Sequence, residues 1–177
     1  MIYMLYGQPG SGKTTLAKLL ADHLDTPFVI DGDEFRGMFK NVDYGFGGRK
    51  KNIRAANAVA TYLNKKAKEG GWACVYLRDG ENSMKGMKVS DETDVVISLV
   101  NPYKQFREEV KEDNKGEVFE ILLKSNRDLR KNYHVENFEE GDPDCIINTN
   151  PEVKEVWDVL ETIVDDERKR RRVNKWS

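Results

Sequence analysis

Cysteine and histidine are scarce in this chain of 177 residues, which has two of each. Cys74 and Cys145 lie far apart in the sequence, and each stands within an apolar run. We therefore expect two buried thiols in a reducing compartment, not a disulfide framework or a cysteine metal site, and we predict a cytoplasmic protein. His23 and His134 lack partners in the sequence, so we expect them to be structural or exposed.

Long apolar runs and a large excess of one charge are also missing. No apolar run approaches the roughly 18 residues that a membrane helix needs, so we expect neither a membrane span nor a signal peptide. The net charge of −2 argues against a wholly basic nucleic-acid surface, although basic residues gather at 168–172. The length suits one domain, which we place at residues 1–165, followed by a basic tail at 166–177 that we expect to fray.

A glycine-rich segment follows the first apolar run. Residues 7–14 read GQPGSGKT and match the phosphate-loop pattern G-x-x-x-x-G-K-[ST], between a strand predicted at 2–6 and a helix predicted at 13–24. Glycines let successive N–H groups point at an anion, and the helix N-terminus adds its positive end. The pattern predicts that ATP phosphates contact Gly7, Gly10, Ser11, Gly12, Lys13, Thr14 and Thr15. Lys13 would reach the β- and γ-phosphates and the Thr14 hydroxyl would bind Mg²⁺, unless the segment is a chance glycine-rich turn.

Short apolar runs alternate with helical patterns along the rest of the chain. They predict an α/β, three-layer P-loop NTPase fold, with a parallel β-sheet of about five strands flanked by helices. Two runs, 72–77 and 94–100, compete for a central position in the sheet, and we favour 94–100. The other strand would then belong to an insertion or an added edge, and the polar segment 78–93 is a possible insertion.

Two acidic residues, Asp31 and Asp33, follow the short strand at 28–30. Strand ends beside a phosphate loop are where open α/β sheets bind ligands, so these carboxylates are candidate catalytic groups. They could instead only cap the next helix. The glycine-rich, basic segment 41–51 is expected to be a mobile loop with an aromatic residue at its centre, ahead of a long helix at about 50–69.

The phosphate loop alone does not separate an ATPase motor, a GTPase and a small-molecule kinase. No convincing Walker B strand with motor elements follows, and no Asn-Lys-x-Asp run for guanine is present. The remaining pattern, with an acidic strand end, a substrate loop and a basic segment after the strand at 118–123, is typical of a small kinase.

Several segments, in family order over about residues 2–163, resemble the adenylylsulfate (APS) kinase family. They are the phosphate loop, IDGDEFR at 30–36, YGF at 44–46, RKKNIR at 49–54, VNPYK at 100–104 and PD at 143–144 with INT at 147–149. The resemblance implies a kinase that moves the γ-phosphoryl group of ATP to the 3′-hydroxyl of APS, with Mg²⁺. Asn101 stands where the family usually has serine, and 78–93 has no counterpart. Relatives of this type often pair, so a homodimer is possible.

The resemblance and the residue types together imply a role for each site residue. Asp33 would accept the proton of the attacking hydroxyl or order water bound to Mg²⁺, and Asp31 would support that site. The candidate substrate-binding residues, for a small anionic acceptor, are Asp33, Arg36, Phe46, Arg49, Asn52 and Asn101. Phe46 would stack on a base or else pack under its own loop, and Arg127, with Arg130 or Lys131, would close over the triphosphate.

Two other functions remain open. One is a kinase for a nucleoside, a nucleotide or a polynucleotide end. The phosphate loop, the Asp-x-x-Arg element and the basic tail support it. Nucleic acid is a possible partner but is not favoured. The other is a regulatory domain that holds ATP without transferring phosphate. Strand-end acids placed away from the γ-phosphate would favour that second function.

Overall fold

The computed structural model describes residues 1–76, 84–127 and 130–175. The helices are α1 (Lys13–His23), α2 (Gly32–Met38), α3 (Phe46–Glu69), α4 (Lys104–Asp113) and α5 (Val153–Lys175), with a 3₁₀ turn at Lys131–Tyr133. The strands are β1 (Ile2–Gly7), β2 (Val29–Asp31), β3 (Gly71–Tyr76), β4 (Met84–Val89), β5 (Val95–Leu99), β6 (Val118–Lys124) and β7 (Cys145–Asn148).

Five of the strands form a parallel sheet in the order β2-β5-β1-β6-β7. β1 lies at its centre, and every residue of β1 is buried, because helices cover both faces of the sheet. The predicted fold class, a parallel sheet of about five strands within a P-loop NTPase fold, is therefore confirmed. β5 and β6 flank β1. The sheet extends from β5 to β2 on one side of β1 and from β6 to β7 on the other, and such a change of direction opens a crevice at the carboxyl ends of the strands.

Two apolar clusters, one on each face, hold the helices to the sheet. Alternate residues of β1 serve each cluster, since successive side chains of a strand point to opposite faces. One cluster joins Tyr3 and Leu5 to α1 and α5, and it includes Leu16, Leu20, Leu160 and Val164. The other joins Ile2 and Met4 to α3 and α4, and it includes Ala56, Ala60 and Val110. The small alanines let α3 lie close to the sheet and bring its first turn beside the crevice.

β3 and β4 form a separate antiparallel pair, with Gly71 opposite Val89 and Tyr76 opposite Met84. β5 lies in the main sheet between β2 and β1, so the preference for 94–100 as the central strand is confirmed. The polar segment contains β4, a strand that its composition does not indicate. Leu77 and the rest of 77–83 lie outside the described residues.

Two helices extend further than their sequence patterns predict. α3 begins at Phe46, so the predicted loop is wrong over residues 46–51. Gly45 precedes this helix in extended conformation, its N–H donates to the Asp43 carboxylate at 2.8 Å, and its carbonyl accepts the helical hydrogen bond of Arg49.

The prediction that the tail frays after Asp166 is also wrong up to Lys175, because α5 continues to that residue. The buried Glu167 accepts hydrogen bonds from Arg170 at 2.8 Å and from Arg171 at 2.5 Å. Arg171 also donates to the Gly116 carbonyl at 2.7 Å. These contacts replace the apolar stripe that the last turns of the helix lack.

Over the described ranges, none of the helices combines the length and apolar character needed to cross a bilayer.

Candidate active site

The segment between β1 and α1 is built as a phosphate loop. Gly10 and Gly12 both have φ near +85°, a backbone conformation that side chains with a Cβ rarely adopt. Gly12 is the N-cap of α1, and none of the described side chains caps that helix end. The first N–H groups of α1 therefore remain available to an anion, and the helix dipole favours negative charge there.

Lys13 lies at the first turn of α1 and is 9% exposed. Its ammonium donates to the carbonyls of Gly7 at 3.0 Å and Gln8 at 2.8 Å and to the Ser11 hydroxyl at 3.3 Å. Burial lowers the pKa of Lys13 to about 8, while the nearby carboxylates of Asp33 and Asp31 partly oppose the shift. An added negative charge in the crevice would stabilise the ammonium form.

Gly7 and Ser11, two of the predicted ATP-binding residues, shape the loop from behind. A Cβ at Gly7 would overlap the Leu123 carbonyl of the neighbouring strand β6. The Ser11 side chain is buried, and its hydroxyl accepts a hydrogen bond from the Lys13 ammonium. Neither residue lines the crevice, whereas Gly10, Gly12, Lys13, Thr14 and Thr15 do.

Asp31 joins the end of β2 to the phosphate loop. Its carboxylate accepts the N–H of Asp33 at 3.0 Å as the N-cap of α2, and it also accepts the hydroxyl of Thr14 at 2.7 Å. Ser98, which lies opposite Asp31 in the β2–β5 register, donates to the same carboxylate at 3.2 Å. Asp31 therefore caps a helix and also orients the Thr14 hydroxyl. Sequence reasoning missed Ser98; the signal was a single hydroxyl near the end of an otherwise apolar run.

Asp33 has a different environment. It follows Asp31 by two residues, yet 74% of its side chain is exposed and it lines the crevice. One oxygen lies 3.4 Å from a guanidinium nitrogen of Arg130, which also lines the crevice. An exposed carboxylate in this position can accept a proton from a bound hydroxyl without first leaving a helix cap.

The remaining predicted acceptor residues fall into two groups. Arg36, Arg49, Asn52 and Asn101 all line the crevice. Phe46 does not; it packs edge-on against Tyr103, with ring centroids 5.0 Å apart, because α3 begins at this residue.

Asparagine side chains form a buried part of the crevice wall. Asn52 donates to the Gly32 carbonyl at 3.2 Å and is 7% exposed. Asn101 is 1% exposed and has φ of +32°, a conformation in which asparagine is enriched, which gives a physical reason for its place in VNPYK. Within the described part of the chain, the side-chain oxygens of both asparagines have no hydrogen-bond partner.

A segment after β6 lies against the phosphate loop. The carboxamide of Gln8 donates to the Val135 carbonyl and accepts the Val135 N–H, each at 2.9 Å. A ring nitrogen of His134 lies 3.1 Å from the Pro9 carbonyl oxygen. Sequence reasoning missed both contacts, because Gln8 occupies a variable position of the phosphate-loop pattern and lies 127 residues from Val135.

The predicted lid residue Arg127 lines the crevice at the end beside α5. Its guanidinium donates to the Thr149 carbonyl and, through Nε, to the Ser125 hydroxyl at 3.3 Å. Thr149, Pro151, Val153 and Val156 complete this end of the crevice and were also missed. Their apolar surface beside a planar guanidinium is suited to a purine ring.

The whole crevice has a volume of about 950 Å³, enough for a nucleotide and a second small molecule. Arg127 and the apolar residues Val153 and Val156 lie on the β7 side of the phosphate loop, and Arg36 and Arg49 lie on the β2 side. Apart from Gly7, Ser11 and Phe46, the predicted ATP-binding and acceptor-binding residues thus line one continuous space.

The AAA domain family model matches residues 6–114, more than half of the chain. The cytidylate kinase of Halobacterium salinarum is 46% identical over 43 residues, which is 24% of this chain and 22% of that enzyme. The match therefore spans about a fifth of the curated relative's length.

Solved kinase structures share the fold at low identity. The APS kinase CysC of Mycobacterium tuberculosis, in complex with AMPPNP and APS, is similar with a TM-score of 0.65 and 18% identity, over 93% of this chain and 95% of that one. A gluconokinase from Sinorhizobium meliloti 1021 is similar with a TM-score of 0.60 and 14% identity, over 99% and 96%. Kinases with different acceptors thus share this architecture.

Proposed function

This chain belongs to the AAA domain family, and on that premise we propose that it is a P-loop kinase. It would transfer the γ-phosphoryl group of ATP to a hydroxyl of a small anionic, nucleotide-like acceptor, with the 3′-hydroxyl of APS as the leading candidate. The observation that carries this proposal is one crevice that continues from the phosphate loop, past Asp31 and Asp33, to a wall with two arginines. A domain that only held ATP would need no such second half.

The donor half supports ATP as the phosphoryl donor. Lys13 and the N-terminal amides of α1 would neutralise and orient the phosphates. Arg127 and the apolar wall at Val153 and Val156 would contact the base. Arg130 would supply a further positive charge at the phosphates when it leaves Asp33.

The Thr14 hydroxyl and the neighbouring Asp31 carboxylate offer the hard oxygen ligands that a magnesium ion prefers. The Thr14 hydroxyl turns its proton toward Asp31, so its lone pairs remain free for a cation, and Asp31 is placed to order a hydrated ion. The ion would supply charge neutralisation at the β- and γ-phosphates.

The acidic residues support transfer to a hydroxyl. Asp33 would accept the hydroxyl proton, since its carboxylate is exposed at the crevice and free of the helix cap that occupies Asp31. Both carboxylates are near enough to Lys13 to oppose the lowering of its pKa. Acids so close to the phosphate loop weaken the alternative of a regulatory domain without transfer.

The basic tail gives little support to a polynucleotide-end kinase. Arg168 lies 3.9 Å from Asp94, just before β5, and Arg171 contacts Gly116, just before β6. The crevice opens at the opposite, carboxyl ends of these strands. A nucleic acid bound to the tail would therefore lie away from the phosphate loop, so a small acceptor is favoured.

A panel with γ-labelled ATP and magnesium tests the proposal. The acceptors, offered one at a time, are APS, gluconate, nucleosides, nucleotides and 5′-hydroxyl DNA or RNA. We expect label on APS, and we expect Lys13→Ala to lower turnover by orders of magnitude through lost electrostatic stabilisation. Label on a nucleic acid end would replace the leading acceptor. Tight ATP binding with no acceptor labelled would contradict the kinase proposal itself.

A further inference from the structure

The loop between α2 and α3 presents one aromatic ring to the crevice, and that ring is Tyr44. Tyr44 lines the crevice and is 56% exposed, whereas Phe46, two residues later, packs against Tyr103 outside the lining. The aromatic residue that the YGF segment offers to an acceptor is therefore the tyrosine.

Arg36 covers one face of the Tyr44 ring. Its guanidinium carbon lies 4.4 Å from the ring centroid, and only 9% of Arg36 is exposed. One nitrogen of the guanidinium donates to the carbonyls of Asp43 at 2.6 Å and Asn41 at 3.3 Å. Arg36 thus fixes the loop backbone and covers one ring face, and among the described residues no other ring or cation contacts the Tyr44 ring.

Arg49 fixes the same loop from the first turn of α3. Its Nε donates to the Tyr44 carbonyl at 2.8 Å, and Asn41 donates to the Gly48 carbonyl at 2.8 Å. Tyr44 is therefore held on both sides of its backbone before any ligand arrives, which lowers the entropy cost of stacking.

The arginines also keep donors for an anion. Within the described residues, Arg36 uses one terminal nitrogen and Arg49 uses only Nε, so each guanidinium retains further N–H groups. A planar ring beside two cationic forks is complementary to a base linked to a phosphate or sulfate. A sugar acid could bind the two guanidinium groups but would have no base to stack on the ring.

We propose that Tyr44, backed by Arg36, is the stacking platform for the base of the acceptor and restricts acceptors to nucleotides. This inference rests on the proposed kinase function and specifies the acceptor class at the same site. It assigns to Tyr44 the role that the resemblance implies for Phe46.

The test compares Tyr44→Ala with Tyr44→Phe, and Tyr62→Ala serves as the matched control. Tyr62 is 59% exposed and has a lysine ammonium 6.0 Å from its ring, but it does not line the crevice. The acceptors are APS, AMP and CMP, which carry a base, and ribose 5-phosphate and gluconate, which do not. Steady-state transfer from ATP and equilibrium binding of AMP and ribose 5-phosphate are measured for each variant.

We expect Tyr44→Ala to lower kcat/KM for the best base-bearing acceptor by about 5- to 100-fold, the usual loss for one stacked base, mainly through KM. The KM for ATP in Tyr44→Ala, and the activity of Tyr62→Ala, should change by less than about threefold. Tyr44→Phe keeps the aromatic ring and should therefore keep the preference for base-bearing acceptors that Tyr44→Ala loses. AMP should bind more tightly than ribose 5-phosphate, and Tyr44→Ala should abolish the difference.

Two results would overturn the platform while leaving the kinase intact. One is equal use of base-free acceptors. The other is a selective loss in Phe46→Ala with none in Tyr44→Ala. If no acceptor is phosphorylated, the proposed function fails, and the binding comparison still decides the platform: AMP affinity unaffected by Tyr44→Ala refutes it.

Discussion

Replacing the buried ammonium of Lys13 by a guanidinium should abolish a proton uptake that accompanies nucleotide binding. Burial lowers the pKa of Lys13 to about 8 in the free protein, so near pH 8 a large part of the population carries a neutral amine. A bound phosphate stabilises the ammonium form and raises that pKa again. Binding must therefore take up protons between the free and bound pKa values.

The sign and size of the effect follow from this shift. Around pH 6.5 the lysine is charged before binding, and the expected uptake is below about 0.1 proton per site. At pH 8 the expected uptake is about 0.5 proton, and at pH 9 about 0.9. Nucleotide affinity should accordingly fall about tenfold between pH 7 and pH 9, because the neutral amine must first be protonated.

Calorimetric titration with ADP and magnesium measures this uptake. Binding heats are compared in buffers of different ionisation enthalpy at each pH, and the slope gives the number of protons taken up. The terminal phosphate of ADP, with a pKa of about 6, contributes little above pH 7.5.

Lys13→Arg is the control, since its guanidinium stays charged throughout this range. A slope near zero for the wild-type protein at pH 8.5, or an equal slope for Lys13→Arg, would refute the reasoning.

Three further predictions concern other parts of the site and core. Asp33→Asn should leave ATP affinity within about threefold while phosphoryl transfer is lost, because the Asp33 side chain is 74% exposed and, unlike Asp31, caps no helix; normal transfer would remove Asp33 from the mechanism. Gln8→Ala should speed hydrogen exchange of the Val135 amide by about 5- to 30-fold, since two hydrogen bonds to the Val135 backbone are lost; unchanged exchange would contradict that contact. Arg107→Met should lower the free energy of unfolding in urea by about 3 kcal/mol, because Arg107 is 1% exposed and pairs with the buried Glu120; unfolding like the wild type would exclude a structural role for that pair.

Most of the fold could be predicted because its signals are local. The apolar run before the phosphate loop, the leucines of α1 and the proline near the start of α5 each act within a few residues. The preference for 94–100 over 72–77 as the central strand was right, but residue patterns gave no sign of β4. The sequence pattern does not predict the start of α3, because glycines usually weaken helices. In the structure Gly45 is the N-cap residue of α3, and its N–H donates to the Asp43 carboxylate.

The candidate site divides in the same way. The residues predicted around Lys13 are contiguous, so their spacing alone specifies a strand, an anion-binding turn and a helix. Ser98 and Val135 contact the loop or its acid partner only through pairings that span 67 and 127 residues. No spacing rule reveals such partners, because they depend on which strands and loops lie side by side.

The sequence by itself determined the phosphate loop of this protein, whose glycines, lysine and threonine must act together because backbone geometry is local. The tertiary structure decided the rest of the crevice. It placed Asp31 against Thr14, left Asp33 exposed beside Arg130, and turned the loop so that Tyr44, not Phe46, faces the crevice. The physical reason is that a side chain's exposure and partners depend on packing between distant segments, which the order of strands in the sheet sets.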